Sequence, residues 1–122
     1  MRMEHSEEFL ELVESARKNV AEVSVDETME RMKDGANLID VREDNEWEKG
    51  HIKDAVHLGK GIIERDITSK FPDKNSELIL YCGGGFRSVL SAENLQKMGY
   101  QNVFSMAGGW REWQNQNGPT EG

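Results

Sequence analysis

An apolar run, Leu78-Ile79-Leu80-Tyr81, ends at Cys82. Three glycines follow, then Phe86, Arg87 and a helix-like stretch from Ser88 to Met98. This is a strand, a glycine-rich turn and a helix start, with a thiol at the first position of the turn. Glycine is expected where backbone must approach a ligand or take positive φ. Successive N–H groups of such a turn can converge into an anion-binding nest, and the following helix dipole adds to it. Sulfur held there is stabilised as thiolate, the nucleophilic form. The segment constrains the fold to one that can present a strand-to-helix loop, and it points to thiol chemistry.

The chain has 122 residues, enough for one core. Charged residues make up 31% and the net charge is −8. Unspecific binding to nucleic acid or an anionic membrane is therefore not expected. A lone cysteine excludes an internal disulfide, a multi-cysteine metal site and a resolving thiol within this chain. No apolar run approaches a membrane span, and the N-terminus lacks a signal-like apolar core. A cytoplasmic, reducing setting suits a free thiol.

Along the chain, Ser6 to Val20 has the spacing of an amphipathic helix, and Ser24-Val25-Asp26-Glu27 matches a capping box. Buried strands are predicted at Leu38–Val41, Ala55–Leu58, Glu77–Tyr81 and Asn102–Phe104. A charged turn or short helix is predicted over Glu43–Gly50, a loop and short helix over Gly59–Thr68, and a last helix over Trp110–Asn115. Strands alternating with helices predict an α/β layered fold with a mainly parallel sheet. Sites in such sheets lie beyond the C-terminal strand ends, where Asp40-Val41-Arg42 and Cys82 both fall. The expected division is a helical extension over 1–22, a domain over 23–116 and a frayed tail over 117–122.

Four pieces occur in order: Asp40-Val41-Arg42; Trp47 with Gly50-His51-Ile52; Cys82 to Ser88; and Ala107-Gly108-Gly109-Trp110-Arg111-Glu112-Trp113. Together they resemble a rhodanese domain, from about Val23 to Trp113. The resemblance implies a rhodanese-like three-layer α/β/α sandwich around a five-stranded, mainly parallel sheet. It also implies a sulfurtransferase that works through a Cys82 persulfide, with a persulfide carrier or a non-enzymatic interaction module as the alternatives. A small anionic donor such as thiosulfate would supply the sulfur; cyanide, a thiol or a sulfur-relay protein would take it. No metal or organic cofactor is implied. Lys53-Asp54 stand where the family commonly has Pro-Gly, and Met106 where it commonly has an aromatic residue. The resemblance assigns the Ser6–Val20 segment no role.

Cys82 to Arg87 spans six residues, Cys-x4-Arg. Cysteine phosphatases use a loop one residue longer, whose wider ring surrounds a tetrahedral phosphate. The shorter ring suits one terminal sulfur bound to Cys82. Gly83, Gly84, Gly85, Phe86, Arg87 and Ser88 are the expected anion-binding positions. Arg87 has two open roles, bracing the loop through a carboxylate or binding the anion directly. Ser88 is expected to N-cap the following helix, with a secondary role towards the sulfur. Phe86 is placed at the rim, where its bulk shapes the choice of acceptor. Asp40 is expected to fix a loop or pair with an arginine, and Arg42 either to support it or to help bind an anionic donor. Lys60 and Arg65 either line the pocket mouth or are ordinary solvated cations. His51 is expected to be a hydrogen-bonded structural imidazole, and His57 shows no metal-ligand spacing.

Overall fold

The computed structural model describes residues 5–122. Residues 1–4 of the expected extension lie outside the described residues. In chain order the elements are α1 (Glu7–Arg17), β1 (Ala21–Val23), α2 (Val25–Lys33), β2 (Asn37–Asp40), α3 (Asp44–Glu48), β3 (His51–Ile52) and β4 (Val56–His57). There follow α4 (Ile63–Lys70), β5 (Leu78–Tyr81), α5 (Arg87–Lys97), β6 (Val103–Met106), α6 (Gly109–Asn115) and β7 (Thr120–Glu121).

Five strands form one sheet in the order β1-β6-β5-β2-β4, every pair parallel. The central strand β5 is buried along its whole length, so Leu78-Ile79-Leu80-Tyr81 is a continuous apolar run rather than an alternating one. Its side chains still alternate between layers. Leu78 and Leu80 join a core with Ala16 of α1, Ile63 and Ile67 of α4, and Val89, Ala92 and Leu95 of α5. Ile79 and Tyr81 face Val25 of α2 and Trp113 of α6. This is the expected three-layer α/β/α sandwich. Truncating Leu80 to alanine would cost about 2–5 kcal/mol at such a site.

Local signals set the element ends. Ser24 and Glu27 form the reciprocal capping box of α2, a feature whose loss costs about 1 kcal/mol. Ser6 caps α1 by accepting from the Phe9 N–H at 3.1 Å. Helix α5 closes at Met98, and Gly99 follows with φ +102°, the left-handed end that favours glycine. In the β3–β4 turn Asp54 itself takes φ +69°, at a position where the family commonly carries glycine.

Two segments differ from expectation. The first helix stops at Arg17, and Ala21–Val23 forms the edge strand β1 beside β6. The tail expected to fray instead folds back. Its Thr120–Glu121 pairs antiparallel with His51–Ile52, and the Trp113 indole N–H donates to Pro119 O at 3.0 Å. The physical reason is burial: the tail covers Trp113, which is only 2% exposed. No described helix is long and apolar enough to cross a membrane.

Candidate active site

Because β2 and β5 are parallel neighbours, their C-terminal ends deliver Asp40, Arg42 and Cys82 to one edge of the sheet. Cys82 is 1% exposed. Its sulfur accepts from the Gly85 N–H at 3.1 Å and lies 3.5 Å from Ser88 Oγ. Gly85 has φ +97°, which a residue with a side chain adopts only under strain, and this turns its N–H inward. Helix α5 starts at Arg87, so its positive end lies at the same loop.

The loop is clasped from behind by α6. The Trp110 N–H donates to Cys82 O at 2.7 Å, and the Arg111 N–H to Gly83 O at 3.2 Å. Such close approach requires Gly109: a Cβ there would lie 2.3 Å from Cys82 O. The Gly108-Gly109 pair thus seats one helix start against another loop.

Arg87 does not reach into the loop's interior. It forms two bonds to the Glu46 carboxylate of α3, at 2.8 and 3.1 Å. Arg87's hydrogen bonds hold the Glu46 carboxyl below its ordinary range, with burial opposing. The same bonds to Glu46 raise the Arg87 pKa. Of its two open roles, bracing is the one its geometry matches. Glu46 is the partner the sequence did not single out; it lies 41 residues away.

Ser88 is not the N-cap. Phe86 occupies that position, with no side-chain cap bond. Ser88 falls inside the first turn and points inward, where its hydroxyl meets Ser105 Oγ of β6 at 2.7 Å as well as the sulfur. Ser88 and Ser105 are both fully buried. A buried hydroxyl beside both a thiol and a second hydroxyl finds partners without a backbone cap.

Asp40 and Arg42 form a buried pair, with Nη2 to Oδ2 at 2.8 Å. The Arg42 N–H also donates to Asp40 Oδ1, and Nη2 to Gly50 O, each at 2.8 Å. The Tyr81 hydroxyl donates to Asp40 Oδ2 at 2.6 Å and accepts from the Ile52 N–H. Burial, then the Asp40 charge, pushes the Tyr81 phenol far above its ordinary value. Burial opposes the Arg42 charge, but Asp40 more than offsets it, and the pKa is raised. Arg42 is 3% exposed and stacks its guanidinium over Trp110 at 4.8 Å. It is therefore unavailable to an anionic donor, because its charge is already matched.

Of the two readings of Arg65, the structure matches the solvated cation rather than a place at the pocket: it is exposed and ion-paired with its neighbour Asp66 on α4. Its placement on a solvated helix face follows the helix, whose buried side carries Ile63 and Ile67. Lys60 lines a cavity of about 440 Å³ with Arg42, Glu43, Asn45 and Gly59. His51 bonds Trp47 O through Nδ1 at 3.1 Å and stacks on the Trp47 ring at 3.4 Å. His57 Nε2 bonds Arg42 O at 2.8 Å. Both imidazoles hold loops in place.

The model of the rhodanese-like domain matches residues 24–116, a span that holds the cysteine loop and the Gly-Gly helix start that clasps it. The chain belongs to the rhodanese-like domain family. It is 35% identical over 77 residues to a Bacillus subtilis protein named "Putative sulfur carrier protein YrkF", covering 63% of this chain and 40% of that one. It is 32% identical to the thiosulfate sulfurtransferase GlpE of Coxiella burnetii, over 62% of this chain and 69% of the relative. The match thus spans well under half of the first relative and about two thirds of the second.

Among solved structures, the protein RPA3614 from Rhodopseudomonas palustris superposes with a TM-score of 0.86 over 99% of both chains at 24% identity. It is described as a protein of unknown function and possible tyrosine phosphatase. At that identity the likeness shows the fold. A rhodanese-like domain from Anabaena gives 0.66 over 71% of this chain and 99% of that one, at 25% identity.

Proposed function

We propose that this rhodanese-family chain is a sulfurtransferase working through a Cys82 persulfide. The observation that carries the reading is the six-residue loop with the Gly85 N–H on the cysteine sulfur. Its ring is one residue short of a phosphate cradle, and Arg87 is turned to Glu46 rather than to an anion. Both features fit a small terminal sulfur better than a tetrahedral phosphate. Kinship with proteins named for sulfur transfer supports the same reading.

The cycle has two displacements. The Cys82 thiolate attacks the outer sulfur of a donor such as thiosulfate. A new S–S bond forms, the donor's S–S bond breaks, and sulfite departs with the bonding pair. Sulfite is a stable anion and needs no proton. The persulfide's terminal sulfur then sits among the N–H groups from Gly83 to Ser88. Cyanide or a thiolate attacks that sulfur and Cys82 leaves as thiolate. Ping-pong kinetics follow. Ser88 supplies a hydroxyl to the sulfur, Asp40 and Arg42 fix the adjoining loop, and Arg87 braces the loop's far end. The domain working with these residues is assigned to 23–116, in a cytoplasmic setting.

A second reading has its own support in the kinship to the named carrier protein. A persulfide carrier would load from a persulfidated protein and pass the sulfur to another. Steady-state kinetics separate the two. The transferase reading predicts thiocyanate release from thiosulfate and cyanide, abolished by Cys82→Ala. A carrier shows a poor KM for thiosulfate and rapid loading from a protein persulfide. Hydrolysis of an aryl phosphate at Cys82 would contradict both.

A further inference from the structure

Helix α1 lies outside the family's matched span of 24–116. It leads into β1, which is parallel to the other sheet strands, so its N-terminal turn stands at the same sheet end as the cysteine loop. There it meets Phe86. The His5 and Phe86 ring centroids are 4.8 Å apart, Phe9 and Phe86 6.3 Å, and His5 and Phe9 5.0 Å, all tilted. These spacings are those of interacting aromatic pairs. The Arg17 guanidinium lies 5.3 Å from the Phe86 centroid and helps hold the ring.

The cluster is joined to the loop itself. A Cβ at Gly84 would lie 3.8 Å from Cδ2 and Cε2 of Phe86, so the ring packs beside the loop's middle residue. Gly83, Gly84 and Gly85 carry no side chains. Phe86 is therefore the one bulky apolar side chain of the loop. It is half-buried, as is Phe9, while His5 is exposed. Arg42 and Arg87 are no rival attraction for an anionic acceptor, since Asp40 and Glu46 match their charges.

We propose that α1 completes a binding subsite beside Cys82, in which His5, Phe9 and Phe86 receive the flat apolar group of a thiol acceptor. The proposal rests on the sulfur-transfer reading and extends it to the class of acceptor: thiols bearing an aryl or similar flat apolar substituent, in preference to cyanide or small polar thiols. Phe86 contacts the acceptor directly, and α1 both positions it and widens the surface.

Two measurements test this. The first needs no persulfide: the rates at which N-benzyl iodoacetamide and iodoacetamide alkylate Cys82, followed by intact mass. Wild type is expected to favour the benzyl reagent. His5→Ala and Phe9→Ala are expected to lower that ratio by about fivefold, the size of one aromatic contact. Leu12→Ala is the control, since Leu12 is an exposed residue of the same helix, and it is expected to leave the ratio unchanged. His5 is exposed, so its replacement leaves the core of the fold intact. The second measurement is transfer from the loaded persulfide, with benzyl mercaptan against cyanide as acceptor. The KM for benzyl mercaptan is expected to rise in the same two variants while cyanide kinetics hold. No benzyl preference in the wild type, or a ratio unmoved in both variants, overturns the subsite. Failure to load sulfur, with the alkylation preference intact, overturns the sulfur-transfer reading and leaves the subsite standing.

Discussion

Gly109 shows how one missing side chain sets the site. Its φ is +56° and its Cα faces the Cys82 carbonyl, with no space for a methyl group. Gly109→Ala is expected to lower stability by about 3 kcal/mol, from overpacking together with left-handed strain. It is also expected to slow Cys82 alkylation, because the bonds from Trp110 and Arg111 to the loop are displaced. Urea unfolding and alkylation rates check both effects; a variant as stable as wild type would mean the clasp is loose. Ser88 carries a related lesson. A serine two residues into a helix looks like a cap in sequence, yet Ser105 offers its hydroxyl a partner that only the β6 register supplies. Ser105→Ala leaves the Ser88 hydroxyl with the sulfur alone. It is expected to cost about 1–3 kcal/mol in urea unfolding, from the lost buried bond.

At the level of elements, α3 braces α5 through Glu46 and Arg87. The pair is about two-thirds buried, so its worth is that of a screened ion pair, up to about 1 kcal/mol. Because the folded Glu46 pKa is lowered, its contribution is full above the ordinary value of 4.5 and is lost as the pH falls through the depressed one. Glu46→Gln is therefore expected to be less stable than wild type at pH 7, with the gap narrowing below pH 4.5. Paired denaturation curves across that range are the check, and a gap that is constant with pH contradicts the assignment.

The tail makes a second element-scale prediction. Removing residues 118–122 strips the strand pairing of β7 and the cover of Trp113. Stability is expected to fall by about 1–2 kcal/mol, with a red shift in tryptophan emission.

Strands β2, β5 and β6 were legible because they are near-continuous apolar runs. Strand β1 was not: only Val23 of its three residues is buried, and its pairing depends on β6 more than 80 residues away. The tail's packing was not legible, because its glycine, proline and polar composition conceals a role that only Trp113 reveals. The cysteine and its loop were legible as a local strand–turn–helix. Glu46, Ser105 and the α1 contacts were not, since each reaches the loop from a distant part of the chain.

For the molecule as a whole, a net charge of −8 surrounds a site that receives an anion under the proposed function. The global field repels a dianionic donor, and salt relieves the repulsion. The second-order rate of loading by thiosulfate is expected to rise roughly twofold between about 0.01 M and about 0.15 M ionic strength. A rate that falls with salt would mean that a local positive field outweighs the global one.

The central claim is that the Cys82 sulfur, held by the Gly85 N–H in a six-residue ring, carries a single transferable sulfur. Intact-mass measurement after incubation with thiosulfate tests it most directly. Wild type is expected to gain the mass of one sulfur atom, to lose it on adding cyanide, and Cys82→Ser to gain none. An unmodified wild-type mass with thiosulfate and with a protein persulfide alike, or the same gain in Cys82→Ser, would contradict the account.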